Sequence, residues 1–446
     1  MAWRCQRGME RLVSIAGIVF FVGVAWVFSR NRRMIPWRTV AIGIIMQVII
    51  AVFLLRSSVG RSLFEKVNML VVGVLSHARI GSEVIFGALA VPPGETGSSG
   101  EQPLGFFLLF QGFPVIIFVG CIMAMLYYAG IMPRIVEFFA RIFSRIMRLS
   151  GAEAMVTVNN IFVGIESLFA IRPYIRGLTL SEMHLLLTAG MATIASSVLG
   201  FYSMILGREI PGIAGHLVSA SILSAPAAVV MSKVMYPEKE KPATFGVGIH
   251  LDRNYMGPGE TPPSSLMDAG VHGAMEGVKL IMGICAMLVA FLGLVSLLNA
   301  ITGGAAAMVG IRGLSFDMIL SWVFYPFAIL SGVRPDDALA VAQLWGLRVM
   351  ATEVPAYIQL SGRMKAGFDG RSAVIAAYGL CGFAHFASLA IFVGGASALA
   401  PERRRDLIRL SFSALVAANL ACFQTAAVAG LCLAASGSVF WGQTLP

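Results

Sequence analysis

The stretch from Ser150 to Thr179 is apolar, yet it cannot cross a membrane in one piece. Ala152–Val163 has the small and apolar residues of a helix but carries two amides, Asn159 and Asn160. The run stops at Gly164, presents Glu166 and Ser167, and resumes through Leu168–Ile171 to Arg172-Pro173. Ser150-Gly-Ala-Glu153 predicts a capping box at its start, and Thr179-Leu-Ser-Glu182 predicts a second one opening the next helix. Each half is about a dozen residues, too short for roughly 30 Å of hydrocarbon at about 1.5 Å per residue. Two short helices around a polar break predict a re-entrant hairpin. Backbone left unpaired at such a break survives only against protein or a water-filled cavity. The hairpin tip is therefore the expected functional centre.

Composition narrows the class. Hydrophobic residues make up 57% of the 446 and charged residues 13%, about half the charge of a soluble domain. With a mean hydropathy of +0.82, the chain reads as an all-α polytopic membrane protein. The net charge of +10 does not indicate nucleic acid. The arginines gather at the ends of apolar segments, as orientation signals do, and no stripe of basic and aromatic residues follows a phosphate backbone. Five of the six cysteines (Cys121, Cys285, Cys381, Cys422, Cys432) lie inside apolar segments without metal-ligand spacing, as packing residues do. Nothing matches HExxH or GxSxG, and no second histidine accompanies His385, which argues against an enzyme.

In chain order, Leu12–Phe28 follows Arg4, Arg7 and Arg11 in the manner of a signal peptide. No small-residue cleavage site closes it, however, and Ser29-Arg-Asn-Arg-Arg33 stops transfer. Val40–Leu55 is the second span, and the basic loop between them places the N-terminus outside. Residues 56–103 predict an interfacial helix, because His77, Arg79 and Glu83 interrupt Val67–Leu89, followed by a Pro/Gly/Ser loop. Phe106–Met132 is a span. Arg134, Arg141, Arg145 and Arg148 then put a short helix at the cytoplasmic surface. After the hairpin at 150–178, Met183–Leu206 is a span with Thr193, Ser196, Ser197 and Gly200 at its middle, and Ile213–Met235 returns. Residues 236–268 read as a polar linker, Ala269–Lys279 as a separate amphipathic helix, Leu280–Ile301 as a span and Leu314–Leu330 as an aromatic apolar segment.

The opening pattern then recurs. A helix from Pro335 through Val349 breaks at Ala351-Thr-Glu-Val-Pro355, giving a second hairpin over 335–361. Val374–Ala400 is a span broken by Gly379, Gly382 and His385, and Leu407–Ala434 is the last. The chain divides into N-terminal spans with an interfacial segment (1–105), a first repeat (106–235), a loop with an amphipathic helix (236–279) and a second repeat (280–446). About eight spans plus two re-entrant hairpins entering from opposite sides make an inverted repeat, the architecture of secondary transporters. Glu166 and Glu353 then face each other at mid-membrane. A carboxylate there costs about 2.5–3.5 kcal/mol and needs a partner or water. Arg172 and Arg348 are candidate structural partners; substrate or ion contact is the functional reading. A non-transporting recognition or scaffold protein of the same fold is the alternative.

Asn160-Ile-Phe-Val-Gly164 with Glu166 and Arg172-Pro173 resembles the first hairpin of the concentrative nucleoside transporters. Ala351-Thr-Glu353 with Ala356-Tyr357 and Gln359 resembles their second. Cys381-Gly-Phe-Ala384, Ser388, Gly394-Gly395 and Leu399-Ala-Pro401-Glu-Arg-Arg404 resemble the broken span that follows. Tyr127-Tyr128 before Gly130 and Met132 also fits. The resemblance implies a homotrimeric, cation-coupled nucleoside importer of the inner membrane that works by elevator-like displacement of the hairpin domain. It implies sodium at Asn160, Val163, Thr193 and Ile194, ribose at Glu353 and Ser388, and apolar base contacts at Val198 and Phe383, with Glu166 in the same site. Two departures stand out. The family's Gly-Gln-(Ser/Thr)-Glu-Ala-Pro tip is here Gly164-Ile-Glu166-Ser-Leu168, one residue shorter and without the amide–hydroxyl pair. His385 replaces the usual asparagine, which puts a proton-dependent donor in the site and leaves the exact substrate, and sodium against proton as coupling ion, open.

Overall fold

The computed structural model describes residues 2–93, 95–98, 100–164, 167–246, 263–308, 310–311 and 313–433. Every regular element among them is helical. Two N-terminal helices, α1 (Ala2–Val27) and α2 (Trp37–Arg56), lead into α3 (Ser58–Phe86), α4 (Pro114–Tyr128) and the basic α5 (Ile131–Met147). The first hairpin comprises α6 (Gly151–Asn159) and α7 (Ser167–Ala170), and the first broken span α8 (Leu180–Ala192) and α9 (Ser196–Leu206). Then come α10 (Ile213–Met235), α11 (Leu266–Met308) and α12 (Phe316–Leu330). The second hairpin is α13 (Pro335–Met350) and α14 (Glu353–Lys365), the second broken span α15 (Gly370–Leu380) and α16 (Phe386–Leu399), and α17 (Arg404–Cys432) closes the described chain.

Both predicted capping boxes form. Ser150 accepts from the Glu153 N–H while Glu153 accepts from Ser150, and Thr179 and Glu182 do the same. The two boxes share a buried polar knot. Ser150 Oγ donates to Glu182 Oε1 at 2.6 Å, and Lys233, near the end of α10, pairs with Glu153 and donates to Ser181 Oγ at 3.0 Å. The first residues of the expected linker belong to this knot. Thr244 accepts the N–H groups of Gly151 on its carbonyl and of Ala152 on its hydroxyl, at 3.0 and 3.2 Å, and so holds the α6 N-terminus, whose orphan donors need partners. The remainder, 247–262, lies outside the described residues, as does Glu166.

Four expectations change. The helix of the first hairpin ends at Asn159, not Val163, because residues 160–164 turn. Its second arm is only four residues of α-helix followed by a tighter turn over Arg172–Gly177, since Pro173 removes a donor. The separate amphipathic helix 269–279 and span 280–301 are one continuous helix of 43 residues, α11, about 65 Å long. The third correction has a packing reason. Gly270, Gly273 and Gly277 line one face of α11, where α4 approaches so closely that a Cβ on Gly273 would lie 2.4 Å from the Gly120 carbonyl oxygen. Small residues at such spacing join helices rather than end them.

The fourth concerns α3. It is one 29-residue helix, and with the turn after it long and apolar enough by length and composition to cross a membrane. Phe64 meets Gly212 and Gly215, Leu75 meets Gly200, and Arg79 shares the Glu95 carboxylate with Arg208. Gly212, Gly215 and Arg208 sit where α9 hands over to α10, and Gly200 lies within α9.

The core is formed by α8, α10 and α17, whose apolar windows are almost wholly buried, whereas α4 and α11 leave most of theirs exposed. Among the described residues, seven helices are long and apolar enough to span. The α4–α11 seam yields a sign test. Gly273→Ala should destabilise the protein by about 1–3 kcal/mol through overpacking against a carbonyl. Gly283→Ala, on the same helix with nothing within 4 Å, should be neutral or stabilising by up to ~1 kcal/mol. Thermal unfolding in detergent separates the two; equal shifts would mean the seam is loose.

Candidate functional site at four helix breaks

An interrupted helix strands carbonyl and N–H groups, and in this protein three of the four interruptions satisfy one another. The break between α8 and α9 is Thr193-Ile194-Ala195. Just beyond it, Ser196 donates both its N–H (3.1 Å) and its hydroxyl (2.7 Å) to the carbonyl of Phe162 in the first hairpin's turn. On its other side, the Phe383 N–H in the α15–α16 break donates to the Thr193 carbonyl at 3.3 Å. The second broken span is propped from behind. Arg348 of α13 donates to the Gly379 carbonyl at 2.6 Å and to Asn419 Oδ1, while Asn419 Nδ2 donates to the Ala384 carbonyl at 3.1 Å. Arg348 is fully buried and places its cation at the C-terminal end of α15, where helix carbonyls favour positive charge. It is not the partner of Glu353.

Glu353 opens α14 at the second hairpin's break and is 2% exposed. Its Oε1 accepts the Tyr202 hydroxyl from α9. Tyr202 stacks on Tyr357, ring centroids 4.3 Å apart, and Tyr357 donates to the Ala377 carbonyl at 3.1 Å. The other oxygen, Oε2, is paired with His385 Nε2 at 3.1 Å and takes no further partner among the described residues. The Thr352 hydroxyl beside it is also buried and unpartnered. Buried polar atoms are ordinarily satisfied, so an unpartnered hydroxyl beside a carboxylate with spare lone pairs at one break fits a polar ligand.

His385 caps α16. Its Nδ1 accepts the Ser388 N–H at 3.1 Å, and Ser388 Oγ accepts the His385 N–H at 3.3 Å. The Ser388 hydroxyl donates to the carbonyls of Phe383 and His385, so its proton serves the backbone of the break. The Phe383 ring stands edge-on to His385, centroids 6.3 Å apart, and Val198 is fully buried on the first turn of α9.

The four oxygens expected to bind sodium belong to the two segments that Ser196 ties together. Asn160 Nδ2 donates to the Val156 carbonyl at 3.0 Å and its Oδ1 accepts from Ser167 at 2.9 Å, leaving a lone pair. Thr193 donates to the Ala189 carbonyl at 3.0 Å, so its oxygen stays free to accept. The Ile194 carbonyl takes no backbone hydrogen bond among the described residues, and Val163 sits in the turn next to Phe162. An amide, a hydroxyl and carbonyls are hard donors that suit a hard cation.

Residues 16–89 match the family model described as the Na+ dependent nucleoside transporter N-terminus, 109–209 the nucleoside recognition gate, and 216–430 the transporter C-terminus. The chain belongs to the concentrative nucleoside transporter family. It is 36% identical over 442 residues to solute carrier family 28 member 3 of Eptatretus stoutii and 34% identical over 439 to the human protein of that name. Those alignments cover 96% and 95% of this chain but 61% and 60% of the relatives, so the chain spans about three fifths of their length. CNTnw in an inward-facing substrate-bound state superposes with a TM-score of 0.84 at 30% identity, covering 95% of this chain and 98% of that one. A CNTnw variant in an outward-facing state gives 0.83 with the same coverage. The protein is thus a multi-pass membrane protein of a transporter family.

Composition and motif spacing did not bring out Tyr202, Arg348 and Asn419 as a supporting set. One signal existed: Tyr202 lies one helical turn after Val198 and shares its face. Tyr202→Phe keeps the stack on Tyr357 and loses the hydroxyl. A hydrogen bond to a charged group is worth about 1.5–3 kcal/mol, so the variant should bind substrate about tenfold more weakly, with little change in thermal stability. An unchanged dissociation constant would mean that Tyr202 only packs.

Proposed function

We propose that this chain imports nucleosides across the cell (inner) membrane, drawn by sodium, as a homotrimer whose hairpin domain alternates between the two sides. The observation that carries the reading is the buried Glu353 carboxylate at a hairpin break with the unpartnered Thr352 hydroxyl beside it, one helix away from a cluster of hard oxygens. The family match and relatives such as the rat sodium/nucleoside cotransporter 1, 34% identical over 437 residues, support it, as do CNTnw structures in inward-facing and outward-facing states. Sodium is favoured over a proton because none of the donors on Asn160, Val163, Thr193 and Ile194 titrates near neutral pH.

The geometry supplies a route for coupling. A cation bound to Asn160 and Val163 of the first hairpin and to Thr193 and Ile194 holds the hairpin turn against the α8–α9 break. The same break launches α9, which carries Val198 and Tyr202, and Tyr202 orients Glu353. Fixing one end of this short helix thereby organises the substrate contacts at the other. By reciprocity, substrate raises the affinity for the cation by the same factor. The exposed α4–α11 pair is the natural fixed frame against which hairpins and broken spans would move as one body. Glu166 belongs to this reading as a second substrate contact, with Phe383 and Val198 flanking the base and Ser388 holding the break.

Two variants test it in reconstituted liposomes. Glu353→Gln should lower uptake by about a hundredfold, the scale of losing a charge-assisted contact, while the protein still elutes as the wild-type oligomer. Thr193→Val keeps the shape and removes the hydroxyl. It should raise the sodium concentration for half-maximal uptake by about tenfold, one lost ligand's worth. Uptake indifferent to sodium but abolished by a proton uncoupler would overturn the cation assignment.

A further inference from the structure

We propose that the outward face of α5 binds anionic phospholipid of the cytoplasmic leaflet, whatever the transported substrate is. The residues of this helix divide around its axis into three stripes. At about 100° per residue, Val136, Ala140, Phe143 and Met147 fall within an arc of about 60°, and all four are buried in the core. Ile131, Ile135, Phe138, Phe139 and Ile146 occupy a neighbouring arc of about 100° and are 37–58% exposed. Arg134, Arg141 and Arg145 line up on the far side of that arc, within about 40° of one another, and all are exposed. Each stripe runs from the start of the helix to its end. Polarity that changes around a helix and not along it marks an axis lying in the membrane surface, with one side in hydrocarbon and another among headgroups.

The neighbours of α5 choose the leaflet. Only Arg148 and Leu149 separate the helix from the Ser150 cap and its knot with Lys233 on α10. The loop carrying Arg30, Arg32 and Arg33 joins the same end of the molecule, where the Arg30 N–H donates to the Met235 carbonyl at 2.9 Å. Basic loops of this kind stay in the cytoplasm, and the cytoplasmic leaflet carries the negative surface charge. The protein itself does little to neutralise the stripe. Glu137 lies 3.3 Å from Arg141, an exposed pair of small value, and among the described residues no carboxylate meets Arg134 or Arg145. The planar guanidinium fork suits phosphate oxygens, and the long side chains carry it to headgroup level. A soluble acidic partner would account for the arginines but not for the five apolar side chains beside them on a convex helix. Acyl chains and phosphates account for both.

The test is lipid binding to the purified full-length protein in neutral detergent, with phosphatidylglycerol and phosphatidylcholine of the same acyl chains as probes. The wild type should prefer phosphatidylglycerol by at least about tenfold, and added salt should erode the preference. An arginine near a charged surface is worth about fivefold. The triple variant Arg134→Gln, Arg141→Gln, Arg145→Gln should therefore bind phosphatidylglycerol roughly a hundredfold more weakly and phosphatidylcholine as before. Lysine at the same three positions keeps the charge and should retain most of the preference. Equal affinity of the wild type for the two lipids would overturn the proposal. So would undiminished phosphatidylglycerol binding by the glutamine variant, which would place the anionic lipid on another surface. The single glutamine variants, each expected to lose about fivefold, decide the matter if the triple one does not fold.

Discussion

A helix that stops inside apolar surroundings leaves backbone groups that water cannot reach, and each must find a partner in the protein. The centre of this structure is the solution to that constraint. The Phe162 carbonyl takes both donors of Ser196, and the Thr193 carbonyl takes the Phe383 N–H. Gly379 and Ala384 are served by Arg348 and Asn419. Three of the four breaks are thereby locked at one place, and the second hairpin's break lies against them through Tyr202 and Glu353. The polar atoms that the lock does not use, above all Glu353 Oε2 and the Thr352 hydroxyl, become the binding chemistry. Site and fold have the same origin.

The charges follow the same economy. Among the described residues Arg348 meets no carboxylate; it meets helix-end carbonyl and amide oxygens and the face of Phe423, 5.4 Å from the ring centroid. Among the described residues Glu353 meets no lysine or arginine; a phenol donates to one of its oxygens and an imidazole faces the other. Keeping the two apart leaves the carboxylate available for a neutral polar ligand, which a full salt bridge would prevent. The fully paired buried ions sit elsewhere, in the knot of Lys233 with Glu153 at the base of the first hairpin. Breaking such a pair costs about 3–5 kcal/mol, which suits a joint that must not open.

Much of this was legible in the residues. Both capping boxes, the break after Thr193, the break before Glu353 and the one around Gly382 and His385 lie where Ser/Thr/Glu spacing and glycine clusters put them. Those signals are local, and the chemistry of a helix end is local too. The misread elements were governed by neighbours. The length of α11 depends on glycines that match the surface of α4, which no pattern within α11 reveals. The amphipathic run of α3 suits either a span or a surface helix by itself, and its partners, Gly212 against Phe64 and Gly200 against Leu75, lie far along the chain.

The sequence by itself determined that the chain is an all-helical membrane protein with two interrupted hairpins and two interrupted spans. Apolar length, caps and breakers act over a few residues and need no knowledge of the fold. It also carried the family resemblance, through short motifs at those interruptions. Only the tertiary structure decided what each polar residue faces. Arg348 supports Gly379 instead of Glu353, Tyr202 reaches across from α9 to a hairpin 151 positions away, and His385 spends one nitrogen on its own helix. A hydrogen bond is a statement about distance and direction, and between residues so far apart in the chain both are set only when the breaks have packed together.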